Sequence, residues 1–428
     1  MRKRLNMTQQ ELAGDDFTKS FISQLEKNEA NPSLKSLQII AQRLNKPISF
    51  FLDDETTTPI RELNHRLEKT LAVARSCEKK ERWNQAIGLY EEALEEVAVD
   101  DFYSRGRIYL NLARCYIGQE DMNGALEPIK NAIEELELAG DDFLTVQAHY
   151  LYGAICHNLG WYDTAKTAFE LARELMNHAD IIEPHLELKI FIGLGKTHAL
   201  LGNYPEALNY LQQVMKLSRE NNDYFEYGSV LTTMGYVFHA QGRLKEALEY
   251  TVDALAFLQV TKGPKREMAR LNINLAVIHR EQNQLEEAYR RLQTAEALLQ
   301  EEPAADLEPL LYEEYGFVLS SQQKHKEAVE YLEKALGMLE DPVAQVPVQI
   351  ALGKVYRQLK DYTAAQNHLE TALATLKAQQ PHAPAQAENA KQTAAATYQL
   401  GLVYQQLGDT EKAQELLSKA GDMFESIS

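Results

Sequence analysis

Residues 195–214 read GKTHALLGNYPEALNYLQQV, and this stretch decides the fold. Small residues stand at Gly195 and Ala207, and Ala207 is followed by Leu211 and Val214 at the spacing of one helix face. Between them the segment GNYPEA, which begins at Gly202, carries the glycine and proline that mark a tight turn. The stretch therefore predicts two antiparallel helices joined by a short turn, with small side chains where the helices approach closely.

The same pattern recurs nine times, which predicts a repeat array. Each register has a small residue followed twelve positions later by an alanine, and these alanines are Ala86, Ala125, Ala165, Ala207, Ala247, Ala288, Ala328, Ala365 and Ala413. Successive registers begin 39, 40, 42, 40, 41, 40, 37 and 48 residues apart, and Pro381 and Pro384 in the longest interval indicate a loose loop. The pattern resembles the tetratricopeptide repeat, whose usual length is about 34 residues. The resemblance implies an all-α fold, with a right-handed superhelix of about nine repeats over residues 61–428.

The first fifty residues differ from the repeats. Thr8 and Glu11 have the spacing of a capping box and predict the start of one helix, and Thr18 predicts the N-cap of a second. The apolar positions expected to face inward are Leu12, Ala13, Ile22 and Leu25. The second helix keeps a polar face formed by Lys19, Ser20, Ser23, Gln24 and Lys27. A helix with such a face near its N-terminus fits the major groove of DNA.

This segment resembles the Cro/repressor (Xre) helix-turn-helix family, and the resemblance continues through NPS at 31–33, Leu37, Ile40, Ala41, Leu44 and FFL at 50–52. It implies a DNA-binding domain over residues 1–52 and an ion pair between Arg2 and Glu26. The resemblance implies that Gln9 contacts a DNA phosphate and that Lys19, Ser20 and Gln24 contact bases. The full set of residues expected to bind DNA is Gln9, Thr18, Lys19, Ser20, Ser23, Gln24 and Lys27. The first helix of the family is nearly absent, so a start codon farther upstream is expected. The acidic, threonine-rich run that follows predicts a linker over residues 53–60.

Charge is distributed unevenly along the 428 residues, whose formal net charge is −19. Residues 1–52 carry +3 and the remainder carries −22, which suits a head that meets DNA phosphates and a body that does not. No apolar run approaches the ~18 residues of a membrane span, and no secretory leader is expected. Cys77, Cys115 and Cys156 recur at about the repeat period and indicate small core residues in a reducing cytoplasm.

In the tetratricopeptide family, positions 2, 5, 9 and 12 of each repeat line a concave groove. Here they hold nine basic residues, Arg75, Arg107, Arg114, Lys189, Lys196, Arg270, Arg280, Lys354 and Arg357, but only three acidic ones, Glu68, Glu78 and Glu313. The aromatic and amide candidates are Tyr150, His157, Tyr236, His239 and Phe317, with Asn111 and Asn274 at position 6. Such a groove suits an extended peptide, because arginine pairs with carboxylates and asparagine bonds a peptide backbone. The alternative is that these cations are hydrated or pair with neighbouring glutamates.

Catalytic motifs are weak. The GLGKT sequence at 193–197 resembles part of a phosphate loop, but Ile190 stands where that motif needs glycine, and the segment falls within a predicted helix. Neither His-Glu-x-x-His nor Gly-x-Ser-x-Gly occurs. We therefore expect no enzymatic activity, no cofactor and no bound metal.

A helix-turn-helix head on an array of roughly 40-residue repeats resembles the bacterial peptide-sensing regulators of the Rap, Rgg, NprR, PlcR and PrgX class. The resemblance implies a cytoplasmic transcriptional regulator that binds double-stranded DNA and senses a short signalling peptide. The alternative is a scaffold whose groove holds a partner protein's tail and whose head is vestigial. A homodimer through the last repeat is expected, because that repeat ends with the apolar residues Leu416, Leu417, Met423, Phe424 and Ile427.

Overall fold

The computed structural model describes residues 2, 7–14, 16–27, 34–44, 46, 54–224, 226–378 and 383–427, with the backbone alone for residues 24, 34, 35, 54–65, 383–388 and 427. Twenty-one helices and no strand occur in these ranges, which confirms the predicted all-α class. The predicted family matches at 31–33 and 50–52, and the proline at 381, lie outside the described residues. None of the described helices is both long and apolar enough to cross a membrane.

The head contains three short helices, α1 (Gln9–Ala13), α2 (Lys19–Glu26) and α3 (Leu34–Arg43). The predicted capping box opens α1: the Glu11 backbone N–H donates to the Thr8 hydroxyl at 3.1 Å, and the Thr8 N–H donates to the Glu11 carboxylate at 2.6 Å. These hydrogen bonds from Thr8 lower the pKa of Glu11. The core contains the buried Leu12, Ala13, Ile22, Ile40 and Leu44, with Met7, Phe17, Phe21 and Leu25 packed against it. The expected inward-facing residues are therefore confirmed.

The remaining eighteen helices form nine consecutive pairs. They are α4 (Asp54–Glu78) with α5 (Trp83–Glu96), α6 (Phe102–Gly118) with α7 (Met122–Ala139), α8 (Asp142–Asn158) with α9 (Tyr162–His178), α10 (Pro184–Leu200) with α11 (Tyr204–Asn221), α12 (Tyr227–Ala240) with α13 (Leu244–Thr261), α14 (Lys265–Glu281) with α15 (Leu285–Glu301), α16 (Glu308–Ser321) with α17 (His325–Met338), α18 (Pro342–Gln358) with α19 (Tyr362–Ala378), and α20 (Ala383–Leu407) with α21 (Thr410–Ile427). We number the pairs as repeats 1 to 9. The predicted number of repeats is confirmed.

Close approach within each pair explains the small residues of the pattern. A Cβ atom added to Gly316 would lie 2.4 Å from Leu332, and one added to Gly353 would lie 2.4 Å from Leu369. A leucine of the second helix therefore fills the space that a larger side chain on the first helix would need. All nine repeating alanines are buried. Cys115 and Cys156 are also buried and Cys77 is half-buried, which supports their interpretation as core residues.

All nine pairs are joined by the same kind of turn. One residue shortly after the first helix of each pair, one to three positions beyond its last helical residue, has a positive φ. The nine residues are Glu81, Glu120, Gly160, Gly202, Gly242, Asn283, Gln323, Lys360 and Gly408. The N–H group of the next residue donates to the carbonyl five residues earlier, at 2.8–3.1 Å in every pair. This is the hydrogen bond of a Schellman motif, which satisfies a carbonyl group at the helix end.

The chain forms two compact units, Met1–Ala148 and His149–Ser428, so this division falls within α8. Residues 54–60 of the predicted linker form the first turns of α4, and the linker between the two domains remains a prediction. In the last repeat, Leu416 packs against α19 and α20, whereas Phe424 is 43% exposed. The side chain of the last apolar residue predicted at the dimer surface, at 427, lies outside the described residues.

Candidate functional site

The helix α2 presents a polar surface at its N-terminal end. The Thr18 hydroxyl accepts a hydrogen bond from the Phe21 N–H at 3.2 Å, as expected for the N-cap. Thr18, Lys19, Ser20 and Lys27 are exposed and Ser23 is half-buried, whereas the side chain of the predicted base-contacting residue at 24 lies outside the described residues. The described side chains are accessible to solvent, and their contacts with DNA remain a prediction.

The carboxylate of Glu26 joins three parts of the head. The Arg2 Nε atom donates to Glu26 Oε1 at 2.7 Å, which confirms the predicted ion pair. The Gln9 Nε2 atom donates to Glu26 Oε2 at 2.6 Å and thereby ties α1 to α2. The contact of Gln9 with a phosphate remains a prediction, and its amide already has this structural partner.

Arg43 organises the turn between α1 and α2, a role that the sequence analysis missed. Its Nη1 atom donates to the backbone carbonyl groups of Leu12, at 3.0 Å, and Ala13, and its Nη2 atom pairs with Asp16. Its guanidinium also lies 5.9 Å from the centre of the Phe17 ring. Arg43 thus holds α3 against the end of α1, and the Ala13 carbonyl also accepts a hydrogen bond from the Phe17 N–H at 3.1 Å.

A large cavity lies between the first helices of repeats 6 to 9, and we call it the repeat 6–9 cavity. Its volume is about 460 Å³. It is lined by Arg280 on α14, Phe317, Ser320 and Ser321 on α16, Pro347, Ile350, Ala351 and Lys354 on α18, and Lys391, Gln392, Ala395 and Gln399 on α20. Apolar side chains therefore form much of its wall, and three of its lining residues are cationic.

The three cations of this cavity differ in their partners. Arg280 forms a bidentate pair with Glu314, at 2.6 and 3.3 Å, and its guanidinium lies 5.4 Å from the centre of the Phe317 ring. The Glu314 side chain is only 5% exposed, so burial raises its pKa while Arg280 opposes that shift. In contrast, no acidic oxygen of the described chain lies within 4.0 Å of the Lys354 or Lys391 ammonium group. Two exposed ammonium groups, without an acidic partner among the described residues, thus border a partly apolar space.

A second cavity, of about 280 Å³, lies between repeats 3 and 4, and we call it the repeat 3–4 cavity. It brings together four predicted residues, Tyr150, His157, Lys189 and Lys196, with Ala154, Asn158, Phe169, Ile192, Gly193 and Glu226. Lys196 Nζ lies 2.8 Å from the carboxylate of Glu226. Burial and then the nearby Lys196 lower the pKa of His157, whose Nδ1 atom lies 3.0 Å from the Thr197 hydroxyl.

The GLGKT sequence lies within α10, as expected. Its two glycines are required for packing, because added Cβ atoms would lie 2.6 Å from the Phe169 ring at Gly193 and 2.8 Å from Leu211 at Gly195. Phe169 is a wall of the repeat 3–4 cavity. These residues therefore form a packed helix interface.

In the first unit, the predicted residues Arg75, Arg107 and Asn111 line a small cavity of about 40 Å³. Arg114 lies beside it and donates to the side-chain oxygens of Gln147, at 2.7 Å, and Asn111, at 3.3 Å. Burial lowers the pKa of Arg114. These arginines have amide and aromatic neighbours, and no acidic oxygen of the described residues lies within 4.0 Å of them.

The expected basic excess needs correction, because several predicted cations pair with acids outside the four lining positions. The pairs are Lys196 with Glu226, Arg270 with Asp306, and Arg280 with Glu314. His239, predicted as an aromatic lining residue, has its Nε2 atom 2.9 Å from the Glu281 carboxylate. Tyr236, His239, Arg270 and Asn274 line none of the three cavities. Arg357 donates at 3.3 Å to Gln399, which lines the repeat 6–9 cavity. The basic excess was counted only at positions 2, 5, 9 and 12 of each repeat, so it left out acidic partners in loops and at other helix positions.

Comparison with known families supports both parts of the architecture. The MalT-like TPR region matches residues 161–387, and the tetratricopeptide repeat matches residues 71–102, 146–175 and 394–422. The helix-turn-helix family matches residues 1–51, in agreement with the predicted head.

Three relatives are similar over different spans. Regulatory protein RapG of Bacillus subtilis is 28% identical over 142 residues, which are 32% of this chain and 39% of RapG, so the chain spans about two fifths of that relative. The apo form of the quorum sensor NprR from B. thuringiensis has a TM-score of 0.60 at 14% identity, covering 85% of this chain and 99% of NprR. A Rap protein complexed with Competence and Sporulation Factor has a TM-score of 0.57 at 13% identity, covering 85% and 98%.

The likeness to the two solved structures lies in the fold, whereas the MalT-like match spans more than half of the sequence. Together with the nine helix pairs and the helices α1 to α3, these matches identify the architecture. The chain belongs to the tetratricopeptide-repeat family with a MalT-like TPR region, and it carries a helix-turn-helix head.

Proposed function

We propose that this protein is a cytoplasmic, DNA-binding transcriptional regulator whose repeat array senses a short peptide. The observation that carries the peptide assignment is the repeat 6–9 cavity, where Lys354 and Lys391 face partly apolar walls without an acidic partner in the described chain. A ligand that supplies a carboxylate next to an apolar side chain would neutralise the lysines and cover Phe317 and Ile350. A peptide C-terminus has both groups.

Two further observations support the proposal. The Rap protein and NprR that share this fold are described, respectively, as complexed with Competence and Sporulation Factor and as a quorum sensor. In the head, the exposed Lys19 and Ser20 at the start of α2 have the chemistry and position for base contacts. The proposal assigns no reaction to the cavity and needs no cofactor.

The peptide assignment is tested with the full chain and an equimolar library of synthetic pentapeptides, prepared once with free C-terminal carboxylates and once with C-terminal amides. Mass spectrometry of the retained peptides should show a preference of at least tenfold for the free carboxylates. The double variant Lys354→Gln with Lys391→Gln should lose that preference. Lys419→Gln, an exposed lysine on α21, is the matched control and should keep it. Equal retention of both libraries by the unmodified protein would refute the carboxylate site.

The DNA assignment is tested by selecting bound fragments from a randomised duplex pool at fixed salt. Lys19→Ala with Gln24→Ala should lose selection of a shared sequence, because each lost base contact reduces discrimination by about 1–3 kcal/mol. Lys46→Ala, outside α2, provides a control for general charge. If the unmodified protein selects no sequence while it retains peptides, the scaffold alternative replaces the regulator.

The proposed regulator acts as a homodimer through its last repeat. The 43% exposed Phe424 and the 50% exposed Leu407 support this arrangement, because exposed apolar side chains favour contact with a partner. Sedimentation at micromolar concentration should show a dimer that Phe424→Asp dissociates. A monomer unaffected by that change would remove the dimer from the proposal.

A further inference from the structure

Glu313 and Glu314 are adjacent on α16, but their carboxylates differ in burial and in their contacts with charged partners. Glu314 is buried and held by both nitrogen contacts of Arg280. Glu313 is half-buried, and among the described residues no hydrogen bond or ion pair satisfies its carboxylate. Arg280 is already committed to Glu314, so Glu313 lacks a dedicated counterion.

The position of Glu313 relates it to the repeat 6–9 cavity. Residues four apart on a helix lie on the same face, and Glu313 stands four residues before Phe317, which lines that cavity. The separation along α16 is roughly 6 Å, about the length of two residues of an extended peptide. Glu313 therefore stands one helical turn from the apolar wall, on the same side of α16.

A half-buried, unpaired carboxylate makes no favourable contribution to the fold. Burial, and then the proximity of Glu314, raise the pKa of Glu313 to about 7, although Arg280 acts in the opposite direction. An apolar or amide side chain at this position would avoid that penalty. A carboxylate gains a role here if a cation arrives from outside the chain.

We propose that Glu313 binds a positively charged group of the groove's ligand, either an N-terminal amine or a Lys or Arg side chain. This inference rests on the proposed function, because it assumes that the ligand's carboxylate occupies the lysine end of the repeat 6–9 cavity. The ligand is then dipolar: its anionic end lies at Lys354 and Lys391, an apolar side chain covers Phe317, and its cationic group lies within about two residues of that side chain. The order of these groups fixes the direction in which the peptide lies along repeats 7 to 9.

The test uses the full chain and two pentapeptide libraries that share free C-terminal carboxylates. One library has free N-termini and includes Lys and Arg; the other is N-acetylated and lacks both residues. The unmodified protein should retain the cationic library at least tenfold better. Glu313→Gln, which keeps the side-chain shape, should retain both libraries equally, and Glu313→Lys should reverse the preference. Glu330→Gln, an exposed position on α17, is the control and should behave as the unmodified protein does.

The outcomes separate this inference from the function on which it rests. If the unmodified protein retains both libraries equally, or if Glu313→Gln keeps the preference, Glu313 does not bind the cation and the inference fails while the carboxylate site stands. If neither library is retained, the proposed peptide-binding function fails and the inference fails with it. Circular dichroism of each variant establishes that the helices are intact, so a lost preference reports on the carboxylate.

Discussion

Replacing Glu313 with glutamine should stabilise the protein, and the gain should increase with pH. The carboxylate at Glu313 has a pKa of about 7, against an ordinary value of 4.5, because burial disfavours its charged form. In the unfolded chain the carboxylate ionises near pH 4.5, whereas in the folded chain it stays protonated until about pH 7. The folded state therefore loses stability as pH rises between these values. Glutamine is neutral throughout and avoids the loss.

The magnitude follows from the two pKa values. Their difference corresponds to a ceiling of about 3 kcal/mol once the pH exceeds 7, and the partial exposure of Glu313 reduces this to about 1–2 kcal/mol. Roughly two fifths of the effect should develop between pH 6 and 8.5. That range also keeps the protein away from its isoelectric point of about 5.1, where low net charge promotes precipitation.

Urea unfolding monitored by circular dichroism at pH 6 and 8.5 provides the assay. The midpoint of Glu313→Gln should exceed that of the unmodified protein at both pH values, with the larger difference at pH 8.5. Glu330→Gln on α17 should show no pH-dependent difference, because its side chain is exposed. A difference for Glu313→Gln that is absent, or that shrinks as pH rises, would refute the reasoning about its burial.

Three other changes test the packing and pairing of the helices. Gly316→Ala should destabilise the chain by about 1–2 kcal/mol, because overpacking outweighs a gain in helix propensity of about 1 kcal/mol. Gly88→Ala has open space around the new methyl group and should stabilise the chain by about 0.5–1 kcal/mol. Urea unfolding midpoints measure both changes. Arg280→Met should destabilise by about 3 kcal/mol, because it leaves Glu314 buried without its partner, and the loss should diminish with Glu314→Gln added. Thr8→Ala should lower the thermal midpoint of the head by an amount equivalent to about 1 kcal/mol, with no change in the array.

The repeat registers could be predicted because they depend on contacts that recur at fixed spacing. The alanines at the repeating position are buried against a helix of the same pair, so their size is constrained within each repeat. The capping box at Thr8 and the pair between Arg2 and Glu26 could also be predicted, since both belong to a compact motif with fixed offsets.

The charge pairing of the groove could not be predicted, because it depends on through-space neighbours. Glu226 and Asp306 lie outside the helices that carry their partners, and Glu314 lies one position from the predicted lining residue. Their distances are set by loop conformation and by the packing of adjacent pairs. Counting charges at four positions therefore overestimated the free positive charge. The role of Arg43 was missed for the same reason, since the carbonyl groups it binds lie some thirty residues away.

The nine identical turns make each helix pair a self-contained module. Because the Schellman hydrogen bond closes each turn without help from another repeat, whole pairs are suitable units for deletion, duplication or exchange. Five of the turns place a residue other than glycine at positive φ, and glycine there should stabilise each turn by up to about 1 kcal/mol. Glycine at Gln323 or Lys360 would stabilise single repeats without altering the residues that line the cavities. A graded series of such arrays would measure how far added stability at one repeat is transmitted to the next.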